Sequence, residues 1–120
     1  TELIRPALYD AIHFVWPVKP GPDFIPPTRR SDLNLPGSVA VDIVGPVCES
    51  GDFLARGRRL APVRRGDLMA IFSAGAYGFV MASHYNSRPN AAEILVDGES
   101  FRIIRRRESY ADLTTAEENL

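Results

Sequence analysis

The sequence predicts an all-β, mainly antiparallel domain, a Greek-key-like β-barrel or sandwich with short helical turns near the N-terminus and in the C-terminal tail. Three observations predict it. Beyond residue 37, short apolar or alternating runs recur at 38–47, 53–56, 67–73, 76–84, 92–96 and 100–106, broken by Gly, Asp and Asn. The pair Asp97-Gly98 separates Glu93-Ile94-Leu95 from Phe101-Arg102-Ile103-Ile104 and supplies the positive φ that primed hairpin turns need. From Lys19 to Pro36 the composition turns to Pro, Gly, Asp and Arg, which cannot hold a helix or an interior strand. That stretch reads as a long loop between two strands.

In chain order, Pro6 pushes Arg5 towards an extended conformation and suits a helical turn just after it. If residues 6–9 make that turn, Arg5 and Tyr9 stand four apart and share a face. A strand within Ala11 to Val18 follows. The basic stretch Arg56-Gly57-Arg58-Arg59 with Arg64-Arg65 has no interleaved aromatics, and reads as a solvated rim set in turns. Ser73-Ala74-Gly75-Ala76-Tyr77-Gly78-Phe79 joins two apolar strands, its glycines permitting a tight turn that either packs Tyr77 or presents its phenol outward. His13 and His84 sit at no metal-ligand spacing and read as plain polar or core residues. In the tail, Ser109 and Thr114 are candidate helix caps, and a short helix or a frayed end both fit.

With 120 residues the chain suits one domain with a core of its own. Fourteen basic residues against fifteen acidic give a net charge of −1, so no overall field favours nucleic acid or an anionic membrane, and neither partner is expected. No run approaches the roughly 18 apolar residues of a membrane span. The single Cys excludes an intrachain disulfide, and a reducing cytoplasmic setting fits best. Because the chain opens on Thr1-Glu2-Leu3-Ile4 with no initiator Met, a piece of a longer protein is expected.

The chemistry concentrates in Gly45-Pro46-Val47-Cys48-Glu49-Ser50-Gly51-Asp52, where a thiol and a carboxylate stand side by side as a strand gives way to a loop. Taken alone, these residues fit a buried Cys beside a solvated Glu better than a ligand site. Taken with Arg5, Tyr9 and Tyr77, they suit a ligand carrying both carboxylate and ammonium: Arg binds a carboxylate through two hydrogen bonds, Glu pairs with an amine, and a thiol delivers a proton. At an ordinary value near 8.5 a Cys is mostly thiol at neutral pH, a better donor than nucleophile. An electron sink is missing. Lys19, the sole lysine, shows no sign of the desolvated pocket of a Schiff-base lysine.

Arg5-Pro6-Ala7-Leu8-Tyr9, Cys48-Glu49-Ser50-Gly51-Asp52, Ala74-Gly75-Ala76-Tyr77-Gly78 and Met81-Ala82-Ser83-His84-Tyr85-Asn86-Ser87-Arg88-Pro89, in this order, resemble the C-terminal domain of the diaminopimelate decarboxylases. The likeness covers nearly all of residues 3 to 108. It implies that residues 1–108 are the C-terminal β-barrel domain, and 109–120 a tail, of a pyridoxal 5'-phosphate enzyme with the alanine-racemase-like fold, whose N-terminal (β/α)8 domain converts meso-diaminopimelate to L-lysine and carbon dioxide with it. By that resemblance Cys48 is the proton donor and Glu49 the holder of the distal ammonium, both acting across a homodimer interface. Arg5 and Tyr9 bind the distal carboxylate, and Tyr77 contacts the cofactor phosphate and the substrate. Ser50, Gly51 and Asp52 shape the turn. By the same resemblance the ornithine-type decarboxylases carry Asp after the Cys, so Glu49 with Arg5 favours diaminopimelate. The Schiff-base lysine and phosphate loop belong to the (β/α)8 domain, so the chain alone is expected to be inactive, and its barrel, lacking one strand, to leave a sheet edge open. A free-standing β-barrel used for binding or dimerisation is the alternative.

Overall fold

In the computed structural model, residues 1–24 and 36–117 are described. The body is three two-stranded antiparallel ladders: β1 (Val15–Pro17) with β4 (Met69–Ile71), β2 (Val39–Val44) with β3 (Phe53–Leu60), and β5 (Glu93–Asp97) with β6 (Ser100–Arg105). Three single-turn helices accompany them: α1 (Arg5–Tyr9), α2 (Gly75–Gly78) and α3 (Tyr110–Thr114). The all-β class holds. Among the described residues the ladders do not close into a barrel, and residues 25–35 of the expected loop 19–36 lie outside the described residues.

The core forms where β1 meets β3. Every residue of β1 is buried, and Trp16 packs with Leu60 and Ala61, flanked by Phe14, Phe24, Val41, Ile43 and Met69. The Phe14 and Trp16 rings stack 5.6 Å apart. β1 is shorter than the stretch expected within Ala11 to Val18: Val15, Trp16 and Pro17 lie opposite Ile71, Ala70 and Met69, and one backbone bond flanks the ladder at each end, Phe72 to Phe14 and Val18 to Leu68.

β3 corrects the reading of Arg56-Gly57-Arg58-Arg59 as turns: the strand runs straight through them. Gly57 does adopt the left-handed φ of 57° that reads as a turn, but it does so in a bulge whose amide donates to Asp42 Oδ1 at 2.7 Å. The register against β2 shifts at this point, between Val41 and Ile43. Arg56 lies 3.7 Å over the Phe53 ring, and Arg59 donates to the Ser38 hydroxyl and carbonyl, each at 2.9 Å.

The expected strand over 76–84 is absent. Residues 75–78 form α2, and a 3-10 turn at Tyr85–Ser87 follows. The chain turns at Ser73, whose φ is 55°, while Gly75 and Gly78 do not take positive φ. By contrast the hairpin at Asp97-Gly98 forms as predicted, with Asp97 opposite Ser100 and Gly98 at φ 58°. Its β5 and β6 side chains stay open, Val96, Phe101 and Ile103 being 67, 75 and 64 % exposed. In the tail Ser109 stands at the start of α3, and its hydroxyl and amide both donate to Asp112 Oδ2 at 2.7 Å. Arg106 grips the same carboxylate, donating to Asp112 Oδ2 from Nη1 at 2.7 Å and to Oδ1 from Nη2.

Candidate functional site

The β2–β3 connection is the candidate turn itself. Asp52, 5 % exposed, folds inward and ties it shut: its carbonyl accepts the Gly45 amide at 2.7 Å, its Oδ2 accepts the Val47 amide at 2.9 Å, and its own amide donates to the Glu49 carbonyl at 2.9 Å. A methyl group at Gly45 would collide with the Asp52 carboxylate, so the close approach requires glycine there. The turn so locked lifts Cys48 and Glu49 into the open, both exposed. The plain reading of Cys48 as a buried small hydrophobe is therefore wrong. Glu49 turns its carboxylate back to accept the Gly51 amide at 2.9 Å, and has no ion pair among the described residues.

α1 lies on this turn. Pro6 opens it and is buried, Asp10 closes it in the left-handed region, and Ala7 and Ile4 sit where a Cβ on Gly51 would make van der Waals contact. Arg5 and Tyr9 leave α1 differently. The Arg5 guanidinium carbon stands 3.6 Å from the Tyr77 ring centroid, with Nε buried and without a hydrogen bond. Tyr9 is 63 % exposed, and its hydroxyl has no partner among the described residues. Tyr77, on α2, is 38 % exposed, its hydroxyl likewise unpartnered among the described residues. The structure thus joins Arg5 to Tyr77 directly and joins α1 to the Cys48-Glu49 turn through Gly51; among the described residues Tyr9 makes no hydrogen bond or ring contact with either. A small cleft lined by His13, Val15, Arg58 and Leu60 involves none of these residues.

Sequence reasoning missed Asn86. Its amide Nδ2–H donates to Cys48 Sγ at 3.5 Å across 38 positions of chain. Asn86 holds φ 57° and ψ 33°, and Ser87 after it φ 56°. Successive left-handed residues other than Gly cost about 1–2 kcal/mol each, so the surroundings must impose them. They are imposed from both sides. Before them, His84 Nε2 bonds Glu108 Oε2 at 2.7 Å, with the Asn90 amide on the same carboxylate oxygen at 2.8 Å. After them, Arg88 donates to Glu2 Oε1 from Nε and Nη2 at 3.0 and 2.6 Å. The Asn90 amide, above all, holds the Glu108 carboxyl below its ordinary value, with His84 adding to the effect. Two features of the sequence hint at this loop: Asn before Ser after a strand-like run, and Pro89 just beyond it. Neither names the thiol as its target.

Fold and site define an antiparallel sheet domain that offers a thiol, an unpaired carboxylate and a stacked guanidinium on an open surface. The family described as pyridoxal-dependent decarboxylase, C-terminal sheet domain, matches residues 1–75, and the chain belongs to that family. A diaminopimelate decarboxylase of Pseudomonas aeruginosa is 53% identical over 116 residues, 97% of this chain and 25% of the relative. One of Aquifex aeolicus is 49% identical over 109 residues, 91% of this chain and 23% of the relative. A crystal structure from Aquifex aeolicus superposes with a TM-score of 0.83 at 44% identity, covering 99% of this chain and 26% of that one. A diaminopimelate decarboxylase from Helicobacter pylori complexed with L-lysine gives 0.78 at 37% identity, over 98% of this chain and 26% of the other. The resemblance read from the four motifs is borne out. The chain spans about a quarter of the length of these relatives.

Proposed function

We propose that this chain is the C-terminal domain, with residues 1–108 as a β-barrel completed by other segments, of a cytoplasmic homodimeric diaminopimelate decarboxylase. The enzyme takes meso-2,6-diaminopimelate to L-lysine and carbon dioxide. Support comes from the relatives' name, from Glu49 after Cys48, and above all from Arg5 stacked on Tyr77. That pair puts a fixed positive charge beside a free phenol, a fit for anionic groups. Pyridoxal 5'-phosphate, when bound, supplies the withdrawal of electrons from the breaking carbon–carboxylate bond. Tyr77 suits its phosphate, since the residue is 38 % exposed and its phenol O–H is uncommitted to protein partners among the described residues. Lys19 is exposed, and the Schiff-base lysine belongs to a separate (β/α)8 domain.

This chain's part is to orient and to protonate. Arg5 grips the substrate's distal carboxylate with its fork of N–H groups, and Tyr9 adds a phenol to it. Glu49 exchanges its Gly51 amide for the distal ammonium. Cys48 gives its S–H proton to the carbon that has lost carbon dioxide. Cys48 and Glu49 do this in the partner subunit's site, from the end of their turn. The open apolar hairpin β5–β6 suits burial against the companion domain or subunit. A decarboxylase of the ornithine or arginine type would share the sheet but has no use for a carboxylate-binding Arg5. The test is Cys48→Ala in the complete enzyme: lysine formation from meso-diaminopimelate falls by roughly 10²-fold or more. Unchanged turnover, or turnover of ornithine in its place, overturns the reading.

A further inference from the structure

We propose that Asn86 is a positioning residue for Cys48, its amide holding the sulfur so that the S–H proton points to the ligand. The inference rests on the reading of Cys48 as proton donor. The side-chain amide donates N–H to Sγ at 3.5 Å, which engages a sulfur lone pair and leaves the thiol's own hydrogen unspent. In the transfer the S–H bond breaks, a C–H bond forms at the carbon that carried the lost carboxylate, and the electron pair stays on sulfur. The Asn86 N–H then faces a thiolate, to which its hydrogen bond is stronger. Water returns the proton and resets the group.

Three observations make this more than a surface contact. Asn86 occupies a left-handed conformation that side chains other than Asn, Asp or Gly seldom adopt, so its identity and its aim are coupled. The loop is fastened immediately before it, by His84 to Glu108, and soon after it, by Arg88 to Glu2. On the other side, the Asp52-locked turn fixes where Cys48 stands. The donor and the acceptor are therefore each held by their own framework, and the hydrogen bond spans the gap between them.

The test is alkylation of Cys48 by iodoacetamide in the complete protein, followed by mass spectrometry of the tryptic peptide Ser31–Arg56, which contains no other Cys. Asn86→Gly keeps the left-handed backbone and removes the amide; Asn86→Asp keeps the shape and replaces the donor with an anion. Near pH 7 the Gly variant is alkylated roughly tenfold more slowly and the Asp variant more slowly still. Above about pH 10, where an ordinary thiol is fully ionised, all three rates agree to about twofold. Equal rates near neutrality, or equal slowing at both pH values, overturn the proposal. The assay needs neither cofactor nor substrate, so it is read separately from the decarboxylase reading: an active Cys48→Ala enzyme defeats that reading and leaves the alkylation result standing.

Discussion

The Arg5 guanidinium carbon lies 3.6 Å from the ring centroid of Tyr77, 72 positions further along the chain. The stacking ties α1 to α2, two single-turn helices too short to be stable alone. A charge with its Nε already buried gains little by staying unpaired, so the outer N–H groups are set to take an anion.

Arg5→Lys keeps the charge but loses the planar fork and the stack. In the complete enzyme it lowers kcat/KM for diaminopimelate by roughly 10- to 100-fold, the worth of a charge-assisted pair. Tyr77→Phe keeps the ring under Arg5 while removing the phenol, and weakens retention of pyridoxal phosphate without changing thermal stability, as absorbance titration and melting curves will report. Equal cofactor affinity in Tyr77→Phe would remove the phenol from the phosphate site.

Among the described residues the Glu49 carboxylate is held by its bond to the Gly51 amide alone, so it is free to exchange that bond for an ammonium. Glu49→Asp draws the carboxylate back by one methylene. Transition-state binding of diaminopimelate weakens by at least ~1 kcal/mol, measured as a fall in kcat/KM. An unchanged ratio would take Glu49 out of the site.

The Asp52 knot carries the turn that carries Cys48. Asp52→Ala leaves the Val47 amide without its partner and costs about 1–3 kcal/mol in thermal unfolding. Gly45→Ala, which drives a methyl group into the Asp52 carboxylate, costs a similar amount. Both changes lower activity as well, because the thiol loses its mount. A melt unaltered by either would show that the turn holds without the knot.

The tail answers to acid in a defined direction. Hydrogen bonds from Arg106 and from the Ser109 backbone and hydroxyl push the Asp112 carboxyl far below its ordinary 3.8, and the Asn90 amide lowers Glu108 from its ordinary 4.5. Both groups bind their proton less readily when folded, so their contribution is present in full above those ordinary values. It fades as the pH drops through the lowered ones. The α3 cap consequently survives mild acid and opens only in strong acid. Carboxyl carbon resonances followed by NMR will show Asp112 still ionised at its ordinary midpoint; titration at the ordinary value would contradict this. In Asp112→Asn the cap shows no such acid dependence.

The features legible in the sequence are those decided by neighbours along the chain. Asp97-Gly98 writes its own hairpin, Pro6 opens α1, and Ser109 stands at the N-terminus of α3, whereas Thr114, the other candidate cap, is its last residue. Errors arise where partners are distant. Gly57 reads as a turn because its positive φ is local, yet Asp42 across the ladder makes it a bulge within β3. Residues 76–84 read as a strand from their apolar composition, but the chain turns at Ser73 and residues 75–78 form α2 instead. The site follows the same division. The side-by-side acid and thiol were visible from adjacency, and the common face of Arg5 and Tyr9 from a spacing of four, which the differing exposure of Tyr9 then qualified. Asn86 was not visible, since nothing near it in the chain says where its amide goes.

The fastening of residues 84–88 to Glu2 on one flank and Glu108 on the other has a consequence for biogenesis. Glu108 is synthesised 60 residues after Cys48, so the loop that carries Asn86 can be fastened on both flanks only once the Cys48 turn is already made.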